Sequence, residues 1–357
     1  MAFGKVLSID IGRRNIHMVV GHHKGDLVEV EQWFSIPTPE GAIKDGNLID
    51  RSAVAFAINN AIKEYKIHAK KAVVSVKSSA VITRELTVPD VQEKDLVPLV
   101  LLDMEQYVPN ISNDYRTGFT LLEKVNGNGG LQKVRVFAMT NTMADTYAGL
   151  LKDCNLKPTA LDAHANAVGK LIAQSYKAGQ GKAGEWDWKV AATIDLGYEL
   201  TEISIFSPEK LLFNRQIPYG SSFLDAELIR QLNIADNALN LQKMELGDLS
   251  QTEFASDEAK RFNDILRLYV SRVTNEIQTV IQFYSGRIEE KRPNVIMVYG
   301  GNALLKGLAP TMEKVLNIPV RILDESPAIQ NKSKHDTLNL THYVNACAAI
   351  FRNDKRG

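Results

Sequence analysis

Three things are missing from this sequence, and each narrows what the chain can be. Charge of one sign is the first: 42 Lys and Arg are matched by 42 Asp and Glu over 357 residues. A balanced surface offers no long-range attraction to nucleic acid or to an anionic bilayer, so neither is an expected partner. Cysteine is the second, with only Cys154 and Cys347, far apart and without metal-ligand spacing. Two buried free thiols in a reducing compartment are expected, not a disulfide framework or a thiolate metal site. The third absence is a long apolar run, since no stretch reaches the roughly 20 residues a membrane-crossing helix needs. No secretory leader is expected ahead of Val6, and the short charged tail from Arg352 to Gly357 is no amphipathic anchor. A cytoplasmic location without direct membrane insertion is the resulting expectation.

What is present is a repeated element. Val6-Leu7-Ser8-Ile9-Asp10-Ile11-Gly12 recurs as Val190-Ala191-Ala192-Thr193-Ile194-Asp195-Leu196-Gly197. In each copy an apolar run suited to a buried strand delivers an aspartate near its end. A small-residue hinge follows, and then an alternating stretch: Ile16, Met18 and Val20 in one copy, Ile203 and Ile205 in the other. Glycine lets backbone N–H groups approach a phosphate, and a strand-end aspartate can hold a hydrated divalent cation. Two such loops face to face would pinch a nucleotide's phosphates between two lobes, with Asp10 and Asp195 on a hydrated Mg²⁺. Taken singly, each is also an ordinary strand-to-turn junction. A third element, the apolar run from Val295 to Tyr299 breaking into Gly300-Gly301-Asn302, leaves room for a base and ribose, or makes a tight strand-to-helix turn.

Strand and helix patterns alternate along the chain, as doubly wound α/β lobes require. Asp50 is placed to cap a helix with an apolar stripe at Val54, Ile58, Ile62 and Tyr65, and 72–76 returns as a buried strand. Residues 83–160 read as a separate small α+β unit. Its expected parts are a helix from Asp90 kinked at Pro98, strands at 119–124 and 134–139 around a glycine-rich tip at 126–130, and a helix through Tyr147 and Leu151. The Gly-rich stretch 178–184 is the best hinge. Beyond it, a long helix over 262–291 carries a stripe including Leu266, Val273, Ile277 and Tyr284, which reads as core.

Two Asp-x-Gly hairpins, a connecting helix and a late Gly-Gly loop resemble the actin-like ATPase fold. The intervening segments resemble the PilM family of type IV pilus assembly over nearly the whole chain. Those that carry the likeness are Val81 to Pro89, Tyr107-Val108-Pro109, Asp114-Tyr115, Cys154 to Asp162, and Arg215-Gln216-Ile217-Pro218-Tyr219-Gly220. The resemblance implies an α/β fold of two duplicated lobes around a nucleotide cleft, with an inserted subdomain of the kind shared with the division protein FtsA. Residues 1–82 and 161–185 would form the first lobe, 83–160 the insertion, 186–225 and 292–357 the second-lobe core, and 226–291 a helical subdomain beside the nucleotide. It also implies ATP or ADP with Mg²⁺, held by Asp10, Gly12, Arg13, Arg14, Asn15, Asp195, Gly197, Tyr198, Gly300, Gly301 and Asn302. Asn240 and Lys243 match the spacing of a helix that touches ribose and base in actin-like proteins, or else lie on an exposed helix face. Asp162 falls where such proteins position the hydrolytic water, or caps the helix that follows. His164, at a position where the family often has glutamate, reads as a helix-surface residue.

The phosphate loops depart from the family. In place of a serine-rich run the first reads Gly12-Arg13-Arg14-Asn15, whose arginines either clamp phosphates or fill the site. Glu199 stands where a small residue is usual, and a carboxylate repels phosphate unless it serves the metal. At most slow ATP hydrolysis is expected. By resemblance the favoured reading is a scaffold, peripheral to the inner membrane through its partner. It would capture the cytoplasmic N-terminal segment of PilN in a groove between the first lobe and the insertion, near 82–88, with the pilus inner-membrane complex and motor ATPases further along. An FtsA-like filament-forming division protein, a nucleotide-independent pseudo-ATPase scaffold and a metabolic kinase of the same superfamily are the alternatives.

Overall fold

The first sheet grows around a central strand with no face left to water. β1 (Val6–Ile11) is buried along its whole length, and β2 (Asn15–Lys24) and β3 (Leu27–Pro37) continue it antiparallel. The computed structural model describes residues 4–125, 130–180, 186–286, 289–333 and 336–351. The expected tip at 126–129, hinge residues 181–184 and the tail 352–357 lie outside them. A short hairpin of β4 (Ile43–Lys44) and β5 (Asn47–Leu48) leads to α1 (Arg51–Glu64), which starts where the Asp50 carboxylate accepts the Ala53 N–H at 2.9 Å. Helix α1 buries Val54, Ile58 and Ala61, and the chain returns parallel to β1 as β6 (Lys71–Val76).

The insertion follows as β7 (Ile82–Pro89), α2 (Glu93–Glu105), α3 (Ile111–Asp114), β8 (Tyr115–Val125) and β9 (Leu131–Thr140). Its three strands run in the order β7-β9-β8 around their own core of Leu86, Val100, Met104 and Val136. Helix α2 starts at Glu93 rather than Asp90, whose carboxylate takes Lys124 Nζ at 2.8 Å instead. The next helix, α4 (Asn141–Asp153), was grouped with the insertion by sequence, yet Met143, Tyr147 and Leu150 join the first-lobe core beside Ile58. β10 (Lys157–Ala163) then adds parallel to β6.

Helix α5 (His164–Gly179) leads to the second lobe, where β11 (Ala191–Leu196), β12 (Thr201–Phe206) and β13 (Leu211–Ile217) repeat the first meander. Helices α6 (Ser221–Leu232), α7 (Leu239–Leu246) and α8 (Asp257–Ser285) intervene before β14 (Val295–Tyr299), α9 (Leu308–Leu316) and β15 (Val320–Ile322). The strand orders β10-β6-β1-β2-β3 and β15-β14-β11-β12-β13 are one plan used twice. Helix α8 begins at Asp257, ahead of the expected 262, because Ser256 Oγ accepts the Ala259 N–H at 3.1 Å and Asp257 and Glu258 complement the helix dipole. It stops before 291 at Gly286, whose φ of 50° ends the helical path.

One expected boundary is corrected. Within 292–357, β16 (Ile329–Asn331) pairs parallel with β3 of the first sheet, and α10 (Val344–Ala348) packs on α5 and β1, where Ser8 Oγ donates to the Ala346 carbonyl at 2.6 Å. The chain end thus belongs to both lobes, and Val168, Leu171, Phe206, Met297 and Phe351 share one core. Cys154 and Cys347 are buried free thiols.

Arg135 of β9 ties the insertion to the second lobe. Its side chain, only 5% exposed, pairs with Glu85 and donates to the carbonyls of Leu211 and Leu212, while Lys210 Nζ reaches Glu123 at 2.9 Å. Arg135→Ala is expected to cost about 1–3 kcal/mol in urea denaturation. Amide exchange over 207–213 should quicken with it; unchanged exchange would show that the contact stabilises nothing.

Candidate functional site

Parallel strands deliver their C-terminal ends to the crevice between the two sheets, the place where α/β folds put ligands. Asp10 and Asp195 lie near the ends of β1 and β11, 6% and 4% exposed. Three side chains supply N–H groups to them. His164 Nε2 is 3.1 Å from Asp10 Oδ1, Lys77 Nζ is 2.6 Å from Asp195 Oδ2, and Asn345 Nδ2 reaches Asp10 Oδ2 at 3.2 Å and Asp195 Oδ2 at 3.4 Å. Burial is the largest single influence and opposes the charge on Asp10, but His164, His17 and Lys77 together outweigh it and hold the carboxyl at about 2 against an ordinary 3.8. The same balance acts on the cations: burial works against His164 and Lys77, the carboxylates more than offset it, and both are pushed up.

A cavity of about 520 Å³ opens over this pair. It brings together Asp10, Gly12, Arg13, Arg14, Asn15, Asp195, Gly197, Tyr198, Asn240, Lys243, Gly300, Gly301 and Asn302. The first loop turns tightly, with the Gly12 N–H on the Asn15 carbonyl at 3.0 Å. Of the two roles open to the arginines, the geometry matches filling the site. Arg13 Nε lies 3.5 Å from Glu199 Oε1, and Arg14 Nη1 lies 3.3 Å from Asp225 and 3.1 Å from Asp236, with its guanidinium 5.5 Å from the Tyr198 ring centre. Glu199 therefore meets an arginine and, at 3.0 Å, the Asp45 N–H. Lys243 of α7 is not on an exposed face: it is 8% exposed and paired with Asp225, and burial pulls its ammonium down.

The far wall suits a ligand that is flat and polar. Gly300, at φ 95°, could not carry a Cβ, which would lie 2.8 Å from Asp195 Oδ1, whereas a Cβ at Gly301 would meet nothing within 4 Å. Asn302 lines the same wall, with its buried amide beside the Tyr269 hydroxyl.

Two sequence expectations need correction. Asp162 is the penultimate residue of β10 and does not line the cavity: its carboxylate accepts Asn166 Nδ2 at 2.7 Å and Lys170 Nζ at 2.5 Å. Nor does it cap α5, whose N-cap is Ala163. His164, taken for a surface residue, is 4% exposed and is the side chain that enters the cleft. Sequence reasoning also passed over Lys77 and Asn345. Lys77 follows a strand buried from Ala72 to Val76 that runs parallel to β1, and a charge at that end of a parallel strand was the available signal.

The hydrated Mg²⁺ expected between Asp10 and Asp195 does not fit these residues as they stand. His164, Asp195 and Glu202 do offer one ligand atom each within 4.8 Å of one another. The Lys77 ammonium, however, is bonded to Asp195 and drawn further by Glu202, and a dication beside it would be repelled.

Duplicated sheets closing on a glycine-lined cleft, with one carboxylate from each, define an actin-like ATPase fold. The family profile described as type IV pilus assembly protein PilM matches residues 8–351. The chain belongs to the PilM family of type IV pilus assembly proteins. It is similar to a chain of a PilM–PilN type IV pilus biogenesis complex at 21% identity, with 97% of each chain covered and a TM-score of 0.79. Ethanolamine utilization protein EutJ from Carboxydothermus hydrogenoformans is similar at 13% identity, with 98% of this chain and 90% of that one covered and a TM-score of 0.54. ADP-bound MreB5 of Spiroplasma citri follows at 12% identity, 90% and 92% coverage and 0.51.

The Asp10–His164 pair sets a pH signature. His164 is raised above 6.5, so its contribution to stability is complete below that value and is lost as pH climbs through the raised one. Asp10, held at about 2, contributes above 3.8 and loses its share only as pH falls through about 2. His164→Gln should cost about 3 kcal/mol near pH 6. The gap to the parent chain in thermal melts should narrow as pH climbs through the raised value of His164; a gap independent of pH would contradict the pairing.

Proposed function

We propose that the chain is a scaffold of type IV pilus assembly that takes an adenine nucleotide between its lobes, turns it over slowly at most, and captures the cytoplasmic N-terminal segment of PilN. The observation that carries this is the whole-chain likeness to the PilM of a PilM–PilN complex, with the insertion included. The cleft supports the nucleotide half of the reading: glycine walls at Gly300 and Gly301, the Asn302 amide, and Asn240 and Lys243 alongside them on α7. Slow turnover fits His164, whose proton is held by Asp10 and which is therefore a poor base toward water.

The partner half rests on β7. This strand is an edge of the inserted sheet, with Arg84, Glu85 and Thr87 exposed, and an extended peptide can add to such an edge and read its side chains. Among the described residues no helix is long and apolar enough to cross a membrane, so attachment to the inner membrane would run through the captured partner. One observation favours a nucleotide-independent scaffold as the second reading: the phosphate-side cations Arg13, Arg14 and Lys77 already have carboxylate partners.

A synthetic PilN N-terminal peptide should bind the purified chain in fluorescence anisotropy, and Arg84→Glu should weaken it about tenfold while nucleotide affinity stays the same. Peptide binding unaffected by changes along β7 would move the partner site elsewhere. Steady-state phosphate release should fall far below the 1–100 per second of roughly comparable phosphoryl-transfer enzymes. Release within that range would overturn the scaffold reading.

A further inference from the structure

The position that a divalent cation would take in this cleft is filled by the protein itself. A hydrated metal ion meets strand-end carboxylates through the O–H groups of its water shell, so it competes with whatever donors those oxygens already hold, and a resident cation among them repels it as well. Here Asp10 Oδ1 is met by His164, Asp10 Oδ2 by Asn345, and Asp195 Oδ2 by both Asn345 and the Lys77 ammonium at 2.6 Å. The ammonium is the strongest of these donors and the one that carries a fixed charge.

Lys77 is built into this place. It follows β6 directly in the first lobe and reaches across to β11 of the second, with its side chain 16% exposed and that of Asp195 5% exposed. Gly197 makes the reach possible: a Cβ there would lie 2.6 Å from Lys77 Nζ. A Cβ on this glycine would also lie 2.6 Å from the Leu200 carbonyl oxygen, so the turn of the second loop and the reach of the lysine both require its absence.

We propose that the Lys77 ammonium replaces the divalent cation of the cleft, so that the chain takes nucleoside di- or triphosphate free of metal. This rests on the nucleotide reading given above for the choice of ligand, though not for the replacement itself. Lys77 neutralises Asp195 and presents its remaining N–H bonds toward the cavity, where phosphate oxygens can accept them. A metal-free polyphosphate is the more anionic species, and a resident cation selects for it.

Two measurements on the full chain test the proposal. In the first, a fluorescent ADP analogue is titrated in EDTA and in excess Mg²⁺; in the second, Mn²⁺ is titrated without nucleotide and followed by electron paramagnetic resonance. The parent chain should bind the analogue with less than about threefold difference between the two buffers and should show no Mn²⁺ site in the cleft. Lys77→Met frees the carboxylates, so it should gain a Mn²⁺ site and bind the analogue at least about tenfold more weakly in EDTA than in Mg²⁺. A parent chain that needs Mg²⁺ by about tenfold or more, or that binds Mn²⁺ unaided in a way Asp195→Asn abolishes, overturns the proposal. So does a folded Lys77→Met indistinguishable from the parent in both titrations. If Lys77→Met fails to fold, the parent titrations still decide. If the parent binds no nucleotide in either buffer, the nucleotide reading fails, and the Mn²⁺ titrations alone decide whether Lys77 holds the metal position.

Discussion

Two carboxylates brought face to face inside a protein are the constraint on which the rest of this structure depends. Like charges about 5 Å apart at an effective dielectric of ~20 repel by about 3 kcal/mol, and burial adds a desolvation cost for each. A duplicated fold creates this problem by construction, because the same strand end occurs in both lobes and both point into the crevice. Donors from three separate parts of the chain resolve it: Lys77 after β6, His164 at the start of α5, and Asn345 in α10. That requirement gives a physical reason for the chain end to return to the first lobe. Without β16 on β3 and α10 on β1, Asn345 would not reach both aspartates.

The charges that meet across the cleft follow one rule. Cations come from the first lobe, at Arg13, Arg14 and Lys77, and anions from the second, at Asp195, Glu199, Asp225 and Asp236. Five carboxylates and five ammonium or guanidinium groups line the cavity, so it has no formal excess of either sign apart from its histidines. An anionic ligand therefore enters by competing with carboxylates for partners they already hold. On the proposed reading, such exchange would favour a nucleotide, whose base and ribose could gain contacts elsewhere along the lining, over a small anion that has only charge to offer.

What the sequence revealed and what it concealed divide by the distance over which each feature is encoded. The two hairpins, the cap at Asp50, the buried strand at 72–76 and the double-glycine loop are local signals, in which hydrophobic period and turn chemistry specify the element within a dozen residues. All but one of the expected site residues accordingly lie around one cavity, since the duplicated strand ends had already located it. The exception is instructive. Asp162 lies within β10 and His164 opens α5 two residues on, so strand alternation alone would put both on one face, and it is the change from strand to helix at Ala163 that separates them. The functional residue type, an acid, suggested Asp162, whereas the backbone turn into α5 brings His164 to the cleft. The partners of Lys77 and Asn345 are 118, 150 and 335 residues away in sequence, and nothing within the lysine's own segment says which carboxylate it will find.

The insertion and the cleft are joined through one strand. Arg135 of β9 holds the carbonyls of Leu211 and Leu212 at the start of β13, and β13 ends in the turn where Ser221 N–H donates to the Gly197 carbonyl at 3.0 Å and Ser222 N–H to that of Tyr198 at 2.9 Å. A peptide added to β7 would bear on the sheet that grips one end of β13, and an anion at the second loop would bear on the other. A path of contacts becomes a coupling only when both ends bias the same two-state element. The element available here is the separation of the lobes, because the Arg135 contact and the Lys77–Asp195 pair both cross from the first-lobe side to the second. With Lys77 supplying the cross-cleft cation, that separation is set from within the chain. On the proposed reading, the insertion's grip on β13 would be the contact through which a bound partner shifts it.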